Sequence, residues 1–447
     1  MDRGDARRWG LPVALLSAAV VLLVVSALAL WPRAGRAVAR PARTAVAAAL
    51  PVSLSQNSLT AAITKSQQRL KQVPRDDRAW AALGAAYVQQ ARVTADPSFY
   101  PKAEGALKRS LALNSSDNWA ALAGLGALAN ARHDFAGALV WGRKAAVVNG
   151  FSDFVYGVIA DAQTQLGDYP AARASIQRML DLKPGVSSFT RASYDFEEHG
   201  QVGPAADALT RALQQASDRA DIAFCRYYLG ELAFDRGDLA GAAKEYASGL
   251  AADPSYTPLL AGRAKVSAAL GHSAPALRDY ATVVQRVPLP QFVVEYGELL
   301  QSLGRTREAQ QQYALLATEQ RLFAANGVTD DLTGAQFAAD HGAPADAVRH
   351  ARAEWERRHS VLVADALAWA LHRAGADAEA LTYAHRATAL GWHNAAFFYH
   401  RGMIEAALGQ RDAARADLSL ALRTNPHFSP LQAPVARQAL TRLGGSA

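Results

Sequence analysis

The sequence predicts an all-α fold, an α-solenoid of paired helices preceded by one N-terminal apolar helix. Three observations predict it. A glycine recurs every 33 to 38 residues, at Gly167, Gly200, Gly237, Gly271, Gly304, Gly342, Gly375 and Gly409. Five residues after each stands an alanine: Ala172, Ala205, Ala242, Ala276, Ala309, Ala347, Ala380 and Ala414. And the chain opens on an uncharged run, Leu11 to Leu30. A fixed period near 34 residues is the mark of a helical array, whose stacked units escape the size limit of a single core.

The elements follow in order. Residues 1–10 form a short flank, and residues 11–30 read LPVALLSAAVVLLVVSALAL. At 1.5 Å per residue this run spans about 30 Å, the thickness of a hydrocarbon core. Trp9 and Trp31 with flanking arginines suit its two interfaces. Its length favours a retained anchor, whereas Ala27-Leu28-Ala29 offers a signal-cleavage site after Arg7-Arg8. Three arginines precede the span and four follow, so the charge rule leaves the side of the membrane open; a signal role would put the array outside the cytoplasm. Residues 31–57, with Pro32, Pro41 and Pro51, read as a linker.

The charge distribution removes one partner class. The chain carries a formal +7 and a pI of about 9.5. Seven arginines and two aspartates in the first 43 residues supply +5, leaving 7 − 5 = +2 for the rest. Acids and bases are interspersed there, without the basic stripe that neutralises several phosphates, so no nucleic-acid partner is expected. The single cysteine, Cys225, excludes an intramolecular disulfide or a cysteine zinc site and is expected to be a small buried residue.

Residues 58–76, with Leu59, Ile63 and Leu70 on one side, are expected to cap the array. The array itself, residues 77–426, reads as ten helix pairs beginning near 77, 119, 153, 186, 223, 257, 290, 328, 361 and 395. Each glycine ends a first helix where the chain needs a positive φ, and each alanine lets the second helix lie close. Units close at helix stops such as Lys183-Pro184, Asp253-Pro254, Val287-Pro288 and Asn425-Pro426. An insertion between helices is expected around Ala91 to Lys102, and His133, Ser193 and Trp392 stand where the pattern is lost. Residues 427–447 are expected to form the opposite cap.

These residues resemble the tetratricopeptide repeat. Trp80, Leu83, Gly84 and Tyr87 carry the first-helix pattern, and the unit Ile222 to Pro254 is the fullest match, with Leu229-Gly230, Gly237, Ala242, Tyr246 and Pro254. The apolar N-terminal run and the phrase NPHFSPLQAP near the C-terminus place the resemblance with bacterial, membrane-anchored members. The resemblance implies antiparallel helix pairs in a right-handed superhelix and a concave surface, lined by first helices, that grips peptides. Carried onto this chain, that surface presents Asp161, Tyr194, Glu197, Phe224, Tyr227, Glu231, Phe234, Lys265, Glu298, Asp365, Trp369 and His372. Its centre is acidic and aromatic, so the implied partner is a protein or peptide segment with basic side chains and apolar anchors. Some members clamp a C-terminal carboxylate with Lys, Asn and Arg, a ligand that the acidic centre of this surface does not suit.

No enzyme is expected. The chain lacks G-x-x-x-x-G-K-[ST], G-x-S-x-G and H-E-x-x-H, and no block of a hundred residues lies outside the repeats. No cofactor or metal is expected either: eight of eleven histidines lie beyond residue 340, but only His393 and His400 stand at a spacing worth testing. The functional expectation is a membrane-anchored adaptor, with an exported factor that holds a client during maturation or assembly as the alternative.

Overall fold

A computed structural model describes residues 56–445, as twenty-two α-helices without a strand among the described residues. The expected membrane span at 11–30 lies outside them, and among the described residues no helix is long and apolar enough to cross a membrane. Helix α1 (Gln56–Gln72) precedes ten pairs. These are α2 (Asp77–Thr94) with α3 (Phe99–Leu113), α4 (Trp119–Ala131) with α5 (Phe135–Val148), and α6 (Asp153–Leu166) with α7 (Tyr169–Leu182). Next come α8 (Val186–Glu198) with α9 (Val202–Gln215), α10 (Arg219–Asp235) with α11 (Leu239–Ala252), and α12 (Thr257–Ala269) with α13 (Ser273–Arg286). The remaining pairs are α14 (Pro290–Ser302) with α15 (Thr306–Ala325), α16 (Asp331–His341) with α17 (Pro344–Arg357), α18 (Val361–Arg373) with α19 (Asp377–Ala387), and α20 (Ala395–Ala407) with α21 (Arg411–Thr424). Helix α22 (Gln432–Arg442) closes the order.

The turn inside a pair is built by two residues. Gly167 and Gly237 adopt φ of 84° and 73°, and the aspartate after each caps the next helix: Asp168 accepts from Ala171 N–H and Asp238 from Gly241 N–H. The N–H groups of Asp168 and Asp238 return to the carbonyls of Gln163 and Ala233, the bond that closes a helix C-terminus. His133 takes the glycine's left-handed place in the second pair, at φ 61°, with Asp134 as the cap. Gly342 departs from the expectation: its backbone is extended (φ −124°, ψ −154°), because Pro344 opens α17 and pushes the preceding Ala343 out of the helical region. The expected insertion in the first pair is absorbed as helix, α2 running to Thr94 before Ala95 turns at φ 54°. Helix α10 begins four residues before the expected 223 and α16 three after 328, each set by a capping aspartate, Asp218 or Asp330.

Packing rests on absent side chains. All eight alanines five residues past the glycines are no more than 1% exposed. Second helices also push large side chains into notches left by glycines on two successive first helices. Leu107 fills the space where Cβ atoms on Gly84 and Gly124 would lie, each 2.5 Å from it. Tyr246 does the same between Gly230 and Gly262, at 2.3 and 2.5 Å. A methyl group cannot enter at those distances, so the helices approach more closely than ordinary side chains permit.

The array coils back on itself. Four turns inside pairs meet three turns between later pairs and the turn before α22, with hydrogen-bonded partners 191 to 197 residues apart along the chain. In the first contact Arg132 Nε donates to the carbonyl of Asn326 at 3.1 Å, and Thr329 N–H donates to the carbonyl of Arg132 at 3.2 Å. In the second His359 N–H donates to the carbonyl of Leu166 at 3.3 Å and Val361 N–H to Tyr169 Oη at 2.9 Å. Arg358, 4% exposed, there bonds Gln165 and Glu354 and stacks over the Phe135 ring. In the third Gly200 lies against the carbonyl of Gly391, and Tyr194 meets Trp392 edge-on at 6.0 Å. In the fourth Asn425 Nδ2 donates to the carbonyl of Phe234 at 2.9 Å, beside Gly237 and Pro426.

Gly200→Ala tests this seam. Its φ is 69°, and a Cβ would sit 2.3 Å from the Gly391 oxygen, so both strain and overlap act against the methyl. The substitution should cost about 1–3 kcal/mol. It should lower the melting temperature and increase the radius of gyration in small-angle scattering at unchanged helical circular dichroism. An unaltered radius with an unaltered melting temperature contradicts the contact.

Candidate functional site

The coil surrounds a lumen of about 1340 Å³ that is partly open to solvent. Its walls come from the end of α2 at Arg92, from the first helices α6, α8 and α10 with Ile176 and Leu209 of the second helices, from the turns before α12 and α14 with Arg286, and from Trp392, which the later coil contributes across the seam. Asp161, Tyr194, Glu197, Phe224, Tyr227 and Glu231 all line it. Residues on successive first helices converge because the tight glycine and alanine contacts turn each pair inward relative to the last.

The other expected residues stand elsewhere. Phe234 is buried against α11, its ring facing Lys265 Nζ at 5.1 Å. Lys265 donates to Glu231 at 2.5 Å, just behind the wall. Glu298 contacts His341 at 3.1 Å. Asp365, Trp369 and His372 belong to a polar and aromatic cluster of the last pairs, away from the lumen. There Asp365 meets His400 at 2.9 Å, Trp369 Nε1 donates to Asp340 at 2.8 Å, and His372 meets Asp377 at 2.5 Å. Trp369 stacks on His400 at 4.3 Å. Among the described residues no group of three or more His, Cys, Asp or Glu is placed to hold a metal. Cys225 is fully buried, and burial pushes its thiol up to about 12.

Tyr228, Asp235 and Trp392 are among the wall residues that escaped the sequence reading. Tyr228 and Asp235 neighbour expected positions on α10, and a wider inward face would have included them. Trp392 could not have been found, because it arrives from almost two hundred residues away. Together Phe224 and Tyr228 pack edge-on at 4.8 Å, Tyr227 and Tyr228 at 5.1 Å, and Tyr194 and Trp392 complete an aromatic wall.

The carboxylates of the lumen differ in their partners. Asp161 is held by both arms of Arg191, at 2.6 and 2.7 Å. Glu231 accepts from Tyr246 Oη at 2.6 Å and from Lys265. Burial works against the Lys265 charge, but Glu231, Glu295 and Asp235 outweigh it and hold the ammonium above the ordinary lysine range. Glu197 has no cation. Burial, with repulsion from Asp235, pushes its carboxyl up to about 8 against the opposing Trp392 indole. Outside the lining, burial likewise raises Glu198 to about 8, with Asp195 adding to it, and raises Glu295 to about 7 despite Lys265. Burial and Glu231 raise Asp235 too.

These acids have a stability consequence with a definite sign. An unfolded glutamate ionises near 4.3, so between about pH 4.3 and 8 Glu197 holds more proton in the folded chain than in the unfolded one. Its contribution to stability is therefore most favourable below that window and is lost as pH rises through the native value. Glu197→Gln should melt higher than the parent at pH 8.5 and close to it at pH 5. A thermal melt showing the same difference at both values contradicts the burial of Glu197.

Comparisons agree in kind but are distant. No protein-family model matches the chain, and no curated protein matches it. Among solved structures, a tetratricopeptide repeat protein from Parabacteroides merdae is similar at 20% identity, over 58% of this chain and 99% of its own, with a TM-score of 0.35. A thermophilic tetratricopeptide protein of Thermus thermophilus is similar at 20% over 43% of this chain and 98% of its own, with a TM-score of 0.37. Yeast Tom70 is similar at 12% over 86% and 96%, with a TM-score of 0.37. Scores this low carry no functional argument, which rests on the geometry of this chain.

Proposed function

We propose that this tetratricopeptide-like solenoid is a non-enzymatic adaptor that captures a segment of another protein in its lumen. The observation that carries the reading is the convergence of Asp161, Tyr194, Glu197, Phe224, Tyr227 and Glu231 on one cavity. Six side chains from three successive helix pairs meet there. The space exceeds the roughly 300–1,000 Å³ of a small-molecule pocket, as a chain segment requires. Aromatic walls supply apolar anchoring and the carboxyls supply attraction for basic side chains. A preformed cavity lowers the ordering cost of capture.

The apolar run at residues 11–30 would tether this activity to a membrane, with the side set by whether the run is cleaved. Intact mass of the native protein decides it: a full-length mass supports the anchor, and loss of about 29 residues supports export. One observation favours holding a client over scaffolding folded subunits. The later coil, through Trp392, walls the lumen, so an extended segment fits where a folded domain does not.

A photo-crosslinking residue at Tyr228, in the lumen, should label one partner in native membranes. The same residue at Val147, 89% exposed on α5, should not label it. Equal labelling at both positions overturns capture in the lumen.

A further inference from the structure

The seam follows one rule along its length. The turns inside the second, third, fourth and fifth pairs meet the turns that close the seventh, eighth, ninth and tenth, in that order. Each meeting is close. A Cβ on Gly167 would lie 2.6 Å from the His359 oxygen, one on Gly200 2.3 Å from the Gly391 oxygen, and one on Gly237 3.1 Å from Pro426 Cδ.

Four later turns are built for the same contact and lack it. Gly271, Gly304, Gly375 and Gly409, inside the sixth, seventh, ninth and tenth pairs, adopt φ of 79°, 74°, 79° and 76°. No atom from elsewhere in the described residues lies within 4 Å of where their Cβ atoms would stand. The residue before the glycine marks the difference. Leu166 precedes Gly167, is partly covered in the seam, and its carbonyl accepts from His359 N–H at 3.3 Å. Leu270, Leu303 and Leu408 hold the same place before Gly271, Gly304 and Gly409, and all three are exposed.

The opposite edge carries the matching feature. In the seam His359 stands immediately before Ser360, the residue that opens the way into α18, and it meets the Leu166 turn from there. Phe151 holds that position in the turn that closes the second pair, immediately before Ser152, which caps α6. Its ring is 82% exposed, with Arg178 of α7 standing 6.0 Å from the centroid. So one edge of the molecule presents bare leucines on seam-type turns, and the other presents a bare phenylalanine where the seam places its answering residue. Apolar side chains left in water at both edges gain by covering each other. The partner that is certain to carry the answering edge in the right backbone geometry is another molecule of the same chain.

We propose that a second copy of this chain docks edge to edge, the Leu270, Leu303 and Leu408 edge of one copy lying against the Phe151 edge of the next. The contact continues the seam between molecules and does not depend on what the lumen holds. Each copy uses two different edges, so the interface is heterologous and association does not stop at a dimer.

The test is sedimentation velocity on the full chain in dodecyl maltoside over a wide range of protein concentration. One variant combines Leu270→Glu, Leu303→Glu and Leu408→Glu, and a second carries Phe151→Glu. These side chains are exposed, and circular dichroism with thermal melts confirms that both variants are folded. The mass of the parent should rise with concentration beyond that of a dimer. Each variant alone should associate about tenfold more weakly or less, as loss of buried apolar side chains implies. Phe151→Leu should associate like the parent. An equimolar mixture of the two glutamate variants should regain association and stop at a dimer, because each supplies the edge the other has lost. A parent that stays monomeric overturns the proposal. So does association that all the substitutions leave unchanged, as contact through the apolar run at residues 11–30 would give. One glutamate variant that associates like the parent, with no rescue in the mixture, shows a pairing of like edges and overturns it as well.

Discussion

The close approach of helices across glycine and alanine is the constraint on which the rest depends. Where Leu107 occupies the notches of Gly84 and Gly124, and Tyr246 those of Gly230 and Gly262, no space remains even for a methyl group. Such contacts fix the angle between one pair and the next, because a packed interface of this kind has one arrangement rather than a range. Small angular steps repeated along the array bring the chain back to its own surface after 191 to 197 residues. The seam then turns an open concave face into a walled lumen.

Much of the fold was legible in the sequence because its cause is local. The glycine that needs a positive φ, the aspartate that caps the following helix and the alanine five residues on all act within one turn of chain. Gly342 failed for an equally local reason, the proline two residues later. The seam was not legible. Arg358, Gly391 and Asn425 carry no sign in sequence of partners near Gln165, Gly200 and Phe234, since those meetings depend on the summed curvature of several pairs. The candidate site divides along the same line. Residues on α6, α8 and α10 were legible as an inward face, whereas Asp365, Trp369 and His372 fell to a separate cluster because curvature carried their helices past the lumen.

The lumen is also where the chain departs from what favours folding. Burial raises Glu197 in its wall and Glu198 and Glu295 outside its lining, and the protein holds these carboxyls in surroundings that disfavour their charge. Polar groups kept at such a cost mark sites whose favourable interactions come from something bound rather than from the fold itself. Lys265 shows the contrast: where the chain supplies its own cation, Glu231 is fully partnered and the surroundings pack tightly around Tyr246.

The constant offset across the seam bears on how such a chain can change length. An open array gains or loses a whole unit at little cost, since each unit touches only its neighbours. Here one duplicated unit placed between residues 237 and 326 would displace the partners of all four seam contacts at once, like a gear moved by one tooth. The same unit added beyond residue 426 would disturb none of them. Variation in repeat number is therefore confined to the ends, and the middle of the array is fixed in length by contacts it does not itself make.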